Sequence, residues 1–211
     1  MMALVIGTDA GFVTVSPTAN PSSITTLMDT RANTSKYTSP AGAIKITEIG
    51  WYCSNATQEA NFEVGLYDHD SGGNLPDNLL HVERTNAKGT TEGWKKVTVD
   101  WEISGSTIYW FAVQLDDTST TTNIDRNFSS GERYTSQAFK TTLENPTTVS
   151  SGVNNFFLGI YAVYETAGTN TQINIGDDWK EIAAAQINIG DTWKAVAGMQ
   201  VNIGDTWKTV F

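Results

Sequence analysis

The sequence predicts an all-β protein: an antiparallel β-sandwich of jelly-roll type over residues 1–166, a linker at 167–171, and three short β-hairpin repeats over 172–211. Three observations lead there. Two runs, Ile108 to Leu115 and Phe156 to Tyr164, are apolar at odd and even positions alike and rich in β-branched and aromatic residues, the pattern of central strands covered on both faces. Shorter segments alternate apolar and polar residues between turn-forming clusters, and residues 1–166 show no convincing 3.6-residue periodicity. After Tyr164 the chain passes through Ala167-Gly168-Thr169-Asn170-Thr171 into a sequence that repeats.

The opening forty residues are rich in Thr, Ser, Asn and Pro, and predict one short strand around Gly11–Val15 followed by loops, or an arm that wraps a neighbour. Ile44 and Ile46 then alternate with Lys45 and Thr47, after which Ile49, Trp51 and Cys53 alternate in the opposite phase. Such a change of phase next to Gly50 is what a β-bulge produces. Phe62, Val64 and Leu66 mark the next strand. A turn-rich loop from Asp68 to Asn78 leads to a brief strand with Leu80 and Val82, and Val97, Val99 and Trp101 define a half-buried strand with Lys96, Thr98 and Asp100 facing out.

Composition limits the function classes. Thirteen basic against 23 acidic residues give a net charge of −10, and the pI is near 4.5. An acidic surface repels phosphate backbones, so nucleic acid is not an expected partner; the charge chiefly serves solubility. Cys53 is alone, which rules out an internal disulfide and suits a small buried hydrophobe. Met1 to Gly7 lacks the basic region and the apolar length of a secretory leader, and no run reaches the roughly 18–20 apolar residues of a membrane span. The expectation is synthesis in the cytoplasm without a cleaved leader and no membrane partner.

The repeats are the most specific signal. Gln172 to Ile182, Gln186 to Val196 and Gln200 to Val210 share one pattern at intervals of 14 residues. Each reads as a hairpin turning at Gly-Asp. A three-residue loop, Gly190-Asp191-Thr192, would set Ile189 opposite Trp193 and Ile187 opposite Ala195 on one apolar face; a two-residue loop would mix the faces, so the hydrophobic pattern favours three. A lone hairpin cannot cover its own apolar face, and a buried Trp or Ile is worth about 1.5–3 kcal/mol. Ile173, Ile175, Trp179, Ile187, Ile189, Trp193, Val201, Ile203 and Trp207 are therefore the expected assembly interface, with self-association or contact with other protein as its role.

With these residues in view, the units of form I-x-I-G-x-x-W-K-x-V resemble those that end some virion structural proteins of tailed bacteriophages and prophages, particularly tail and appendage components. Separately, Val64 to Asp68, Gly73 to Pro76, Gly93 to Val99 and Ile108 to Val113 are similar to stretches of jelly-roll modules on bacterial surface and adhesion proteins. These resemblances imply attachment or assembly, and neither supplies a catalytic residue.

Candidate chemistry is sparse. Asp68, Asp70, Asn74 and Asp77 carry oxygens that suit Ca²⁺, and their spacing begins like an EF-hand loop; no Glu closes it at the twelfth position, so a solvated loop competes with the ion site and no other cofactor is expected. Asp116-Asp117 is a second acidic spot. His69 and His81 lie twelve residues apart with no Cys or His partner at ligand spacing. There is no nucleophile elbow, phosphate-binding glycine loop or dinucleotide fingerprint, and an enzyme is not expected. Tyr67 and Trp94 fit the apolar rhythm of their strands least well and are the candidates for stacking on a glycan.

The functional expectation is a non-enzymatic phage structural protein located in the virion: a head-decoration, tail or fibre-associated subunit made in the host cytoplasm and partnered by other virion proteins. A carbohydrate-binding or adhesion module acting on a cell-surface glycan is the alternative.

Overall fold

In the segment Ile108–Leu115, Tyr109, Phe111 and Val113 lie on one face and Trp110 and Ala112 on the other, and all five are buried. A strand with this pattern must have a layer on each side, and the fold is arranged around that need. The structure is a computed structural model. It describes residues 4–21, 24–27, 31–55, 62–85, 92–115, 123–138, 142–149, 152–167, 171–175, 178–182, 186–189, 192–195, 200–203 and 206–209. The chain divides into two compact units, Met1–Thr166 and Ala167–Phe211.

The first unit holds β1 (Gly11–Val13), β2 (Ile24–Leu27), β3 (Arg31–Thr38), β4 (Ala43–Asn55), β5 (Phe62–Asp70), β6 (Leu75–Thr85), β7 (Gly93–Glu102), β8 (Ile108–Leu115), β9 (Asn123–Ala138), β10 (Val153–Leu158) and β11 (Ile160–Thr166). It is all-β among the described residues. Pairing runs β1-β11-β4-β9-β3-β8-β5-β6, with β7 beside β4 and β2 and β10 beside β9; every strand pair is antiparallel except β1 with β11. The halves β1-β11-β4-β7 and β9-β3-β8-β5-β6 face each other as the layers of a β-sandwich. They join where Cys53 and Asn55 pair with Ile124 and Asn123.

Between the layers Ile46, Ile49, Trp51, Ile160 and Ala162 from one side meet Phe62, Val64, Leu66, Phe111 and Val113 from the other. Trp51 and Phe62 meet edge to face at 4.3 Å, and Phe12 and Phe111 at 4.9 Å. A smaller cluster of Tyr67, Trp110, Ala112 and Leu143 lies on the outer face of the β5–β8 layer. Residues 142–149 close it: the Leu143 N–H donates to Glu63 Oε2, and the Leu79 N–H to Asn145 Oδ1.

Four sequence expectations need correction. The register of β4 shifts between Ile46 and Glu48, where the alternation itself breaks, and not beside Gly50. The run Phe156–Tyr164 is two strands: Gly159 donates to the Asp125 carbonyl and accepts from the Tyr52 N–H, so the chain steps from one layer to the other. Residues 68–78 are mostly strand, with only 71–74 turning between β5 and β6. Finally, the stretch expected as loops after Val15 contains β2 and β3, the latter lying between β8 and β9.

In the second unit the backbone forms three separate ribbons: β12 (Thr171–Ile175) with β13 (Asp178–Ile182), β14 (Gln186–Ile189) with β15 (Thr192–Ala195), and β16 (Gln200–Ile203) with β17 (Thr206–Thr209).

Candidate functional site

The ribbon register settles the loop length. Ile175 pairs with Asp178, Ile189 with Thr192 and Ile203 with Thr206, so two residues lie between the paired ends, not the three expected. Asn188 is then opposite Trp193, and Ile187 opposite Lys194. The same holds for Asn174 with Trp179 and Ile173 with Lys180, and for Asn202 with Trp207 and Val201 with Lys208. The side chains of Ile173, Ile175, Trp179, Ile187, Ile189, Trp193, Val201, Ile203 and Trp207, the expected assembly interface, lie outside the described residues.

In the sandwich the acidic hairpin ties itself together. Asp70 accepts from the Gly72 and Gly73 N–H groups, both at 2.8 Å. Asp68 accepts from the Asn78 N–H at 2.7 Å and from Asn78 Nδ2 at 3.0 Å, and Asp77 accepts from the same Nδ2. Asn74 Oδ1 accepts from Lys36 Nζ. These carboxylates act as turn and strand acceptors, the ordinary work of Asx side chains. Among the described residues no three of His, Cys, Asp and Glu come together as metal ligands. Asp116-Asp117 lies outside the described residues.

Neither aromatic chosen for glycan stacking is an open platform. Tyr67 is 2% exposed, and its hydroxyl donates to the Glu144 carbonyl at 2.7 Å. Burial, with Glu144 and Glu63 nearby, pushes its phenol well above the ordinary range. Trp94 is half-buried; its indole N–H donates to the Ala19 carbonyl at 2.9 Å and its ring meets Tyr52 and Tyr161 edge to face. Beside it Glu48 accepts from Ser16, from Tyr161 at 2.7 Å and from Lys96 at 2.9 Å. Burial alone would raise that carboxyl, but the three donors together hold it below its usual value. This face of the β11-β4-β7 layer is a pinned packing surface under residues 16–19.

The structure presents instead a shallow pocket of about 420 Å³ lined by Asp68, His69, Ser106, Thr107, Ile108 and Tyr109. Its far wall is braced by Ser39, which is 2% exposed. The Ser39 hydroxyl donates to the Ser104 carbonyl at 2.7 Å and accepts from the Thr107 N–H at 3.0 Å, and the Ser39 backbone exchanges bonds with Ser106 and Thr107. The Ser104 N–H donates to the Tyr109 hydroxyl. On the near wall Trp110 Nε1 donates to His69 Nδ1 at 3.2 Å. The sequence singles out Asp68 as a Ca²⁺ candidate and His69 as one of two histidines, but nothing in it brings them beside Ser106 to Tyr109.

No protein-family model and no curated protein matches the chain. Among solved structures it is similar to the cysteine protease and lectin-like domains of Cwp84, a surface-layer-associated protein of Clostridium difficile, at 10% identity and a TM-score of 0.41. The match covers 71% of this chain and 37% of that one.

Proposed function

We propose that this protein is a non-enzymatic structural subunit of a bacteriophage virion, a head-decoration, tail or fibre-associated protein whose sandwich is the displayed body and whose repeats bind protein, including further copies of the same chain. One observation carries the assembly part: the same tryptophan-bearing unit recurs three times at 14-residue intervals, and its backbone forms three separate two-stranded ribbons. A lone two-stranded ribbon is marginal in water, and three Trp- and Ile-bearing copies left uncovered would be a large apolar liability. Repetition also multiplies affinity when a partner offers matching sites, since each later contact forms within the complex. The resemblance of the repeats to the ends of phage tail and appendage proteins supports the virion as the place.

The test is molar mass by light scattering for the full chain and for a chain ending at Thr166, together with mass spectrometry of purified phage particles. The expected result is a multimer that becomes a monomer on truncation, and the chain among the particle proteins. A monomeric full chain, absent from particles, would refute the proposal.

A further inference from the structure

We propose that the pocket between the β5–β6 hairpin and the loop leading into β8 binds a neutral, hydroxyl-rich ligand, one hexopyranose unit of a glycan. This goes beyond the assembly reading and does not depend on it.

The argument begins with a proton. An indole N–H donates only, so the bond from Trp110 Nε1 requires His69 Nδ1 to accept; the neutral imidazole must then carry its proton on Nε2. Trp110 is fully buried, which fixes the ring that fixes this tautomer. The pocket thus has a preset donor in His69. It has an acceptor in Asp68, whose two oxygens each accept one bond from Asn78 while a carboxylate offers about four lone-pair sites. A donor and a carboxylate acceptor lining one pocket match the paired donor and acceptor character of sugar hydroxyls.

The remaining wall suits the other side of such a ligand. Ile108 and Tyr109 supply apolar surface for ring C–H groups, while Ser106 and Thr107 bring hydroxyls. The wall is built in advance: Ser106 holds φ at +54°, a left-handed conformation that a serine adopts at a cost, and Ser39 grips the backbone on both sides of it. Strain kept in place at the lip of a pocket points to a use for the shape. Charge selects the ligand further. Asp68 in the wall and a chain at −10 oppose anionic sugars and phosphates. A shallow site with a handful of polar groups gives millimolar affinity for a single sugar unit, which repeated copies in a particle would raise.

The experiment uses the full chain, ¹⁵N-labelled, titrated with the methyl glycosides of glucose, galactose, mannose and N-acetylglucosamine, and with N-acetylneuraminic acid as the anionic control. The Trp110 indole N–H and the Thr107 amide are the reporters. At least one neutral glycoside is expected to shift both saturably below about 50 mM. Asp68→Asn and Thr107→Val should each weaken that binding about tenfold, with other shifts confined to Asn78 and to the turn at Gly105, where these side chains also bond. The same titration in a chain carrying Trp179→Ala, Trp193→Ala and Trp207→Ala should give the same affinity, separating this site from the repeats. No saturable shift with any neutral glycoside, binding untouched by Asp68→Asn, or stronger binding of the anionic control would each overturn the proposal.

Discussion

The ring of Tyr161 lies where a side chain on Gly50 would have to be. A Cβ added there would fall 2.6 Å from the ring and 2.6 Å from the Lys95 carbonyl oxygen, while the hydroxyl of the same tyrosine donates to Glu48. The ring is fully buried and anchored at its tip, and the carbonyl belongs to the paired β7 backbone, so neither can yield cheaply. Gly50→Ala should cost about 1–3 kcal/mol, the range for overpacking a well-filled site. Urea unfolding of the variant beside the parent chain reads this directly; an unchanged midpoint would show that the face is looser than its geometry implies.

Glu48 makes the sandwich sensitive to acid. Its folded carboxyl titrates below the ordinary glutamate value, so the unfolded chain binds its proton first as pH falls. The stabilisation is complete above the ordinary carboxylate range and is lost as pH drops through that range to the lower folded value. Urea midpoints taken from neutral pH down into that window should fall, and Glu48→Gln should flatten this part of the decline.

Ser39 supports the β7–β8 loop by accepting from the Thr107 N–H and donating to the Ser104 carbonyl. Ser39→Ala removes a buried hydroxyl and leaves that N–H without its acceptor. The expected cost is about 1–3 kcal/mol, together with faster hydrogen exchange at the Thr107 amide. Unaltered exchange would mean that the loop holds its shape by other means.

Tyr67 ties residues 142–149 to the outer face of β5 through the Glu144 carbonyl. Tyr67→Phe keeps the ring and removes only the donor, at a cost of about 0.5–1.5 kcal/mol. The loss should appear as increased protease susceptibility between Thr142 and Val149, with the core otherwise intact. A variant as resistant as the parent chain would assign the closure to Leu143 packing alone.

What the sequence revealed follows from where polarity and burial agree. β8 was legible because both of its faces are apolar, and β4, β5 and β7 because one face is. β3 was hidden because its buried centre is Asn33, Thr34 and Ser35: the Thr34 and Thr135 hydroxyls bond each other, and Ser35 Oγ accepts from the Leu158 N–H. A strand whose core-facing groups are satisfied by hydrogen bonds reads as a loop in any hydrophobic pattern. β9, with Asp125 and Thr135 buried, escaped notice for the same reason. Tyr67 and Trp94 looked free because residues 142–149 and 16–19, which cover them, are far away in sequence and carry no periodicity. In the repeats the hydrophobic pattern favoured a three-residue loop, whereas the backbone register leaves two residues between the paired ends.

The proposed dependence of the repeats on a partner can be tested at the indoles themselves. Incorporation of 5-fluorotryptophan gives seven ¹⁹F resonances, and single Trp→Phe substitutions assign those of Trp179, Trp193 and Trp207. As the full chain is diluted from millimolar to micromolar, these three should move together toward solvent-exposed shifts while Trp51 and Trp110 in the sandwich stay fixed. Three resonances that hold buried shifts unchanged through dilution, in a chain that is monomeric throughout, would mean that each copy already covers its own ribbons.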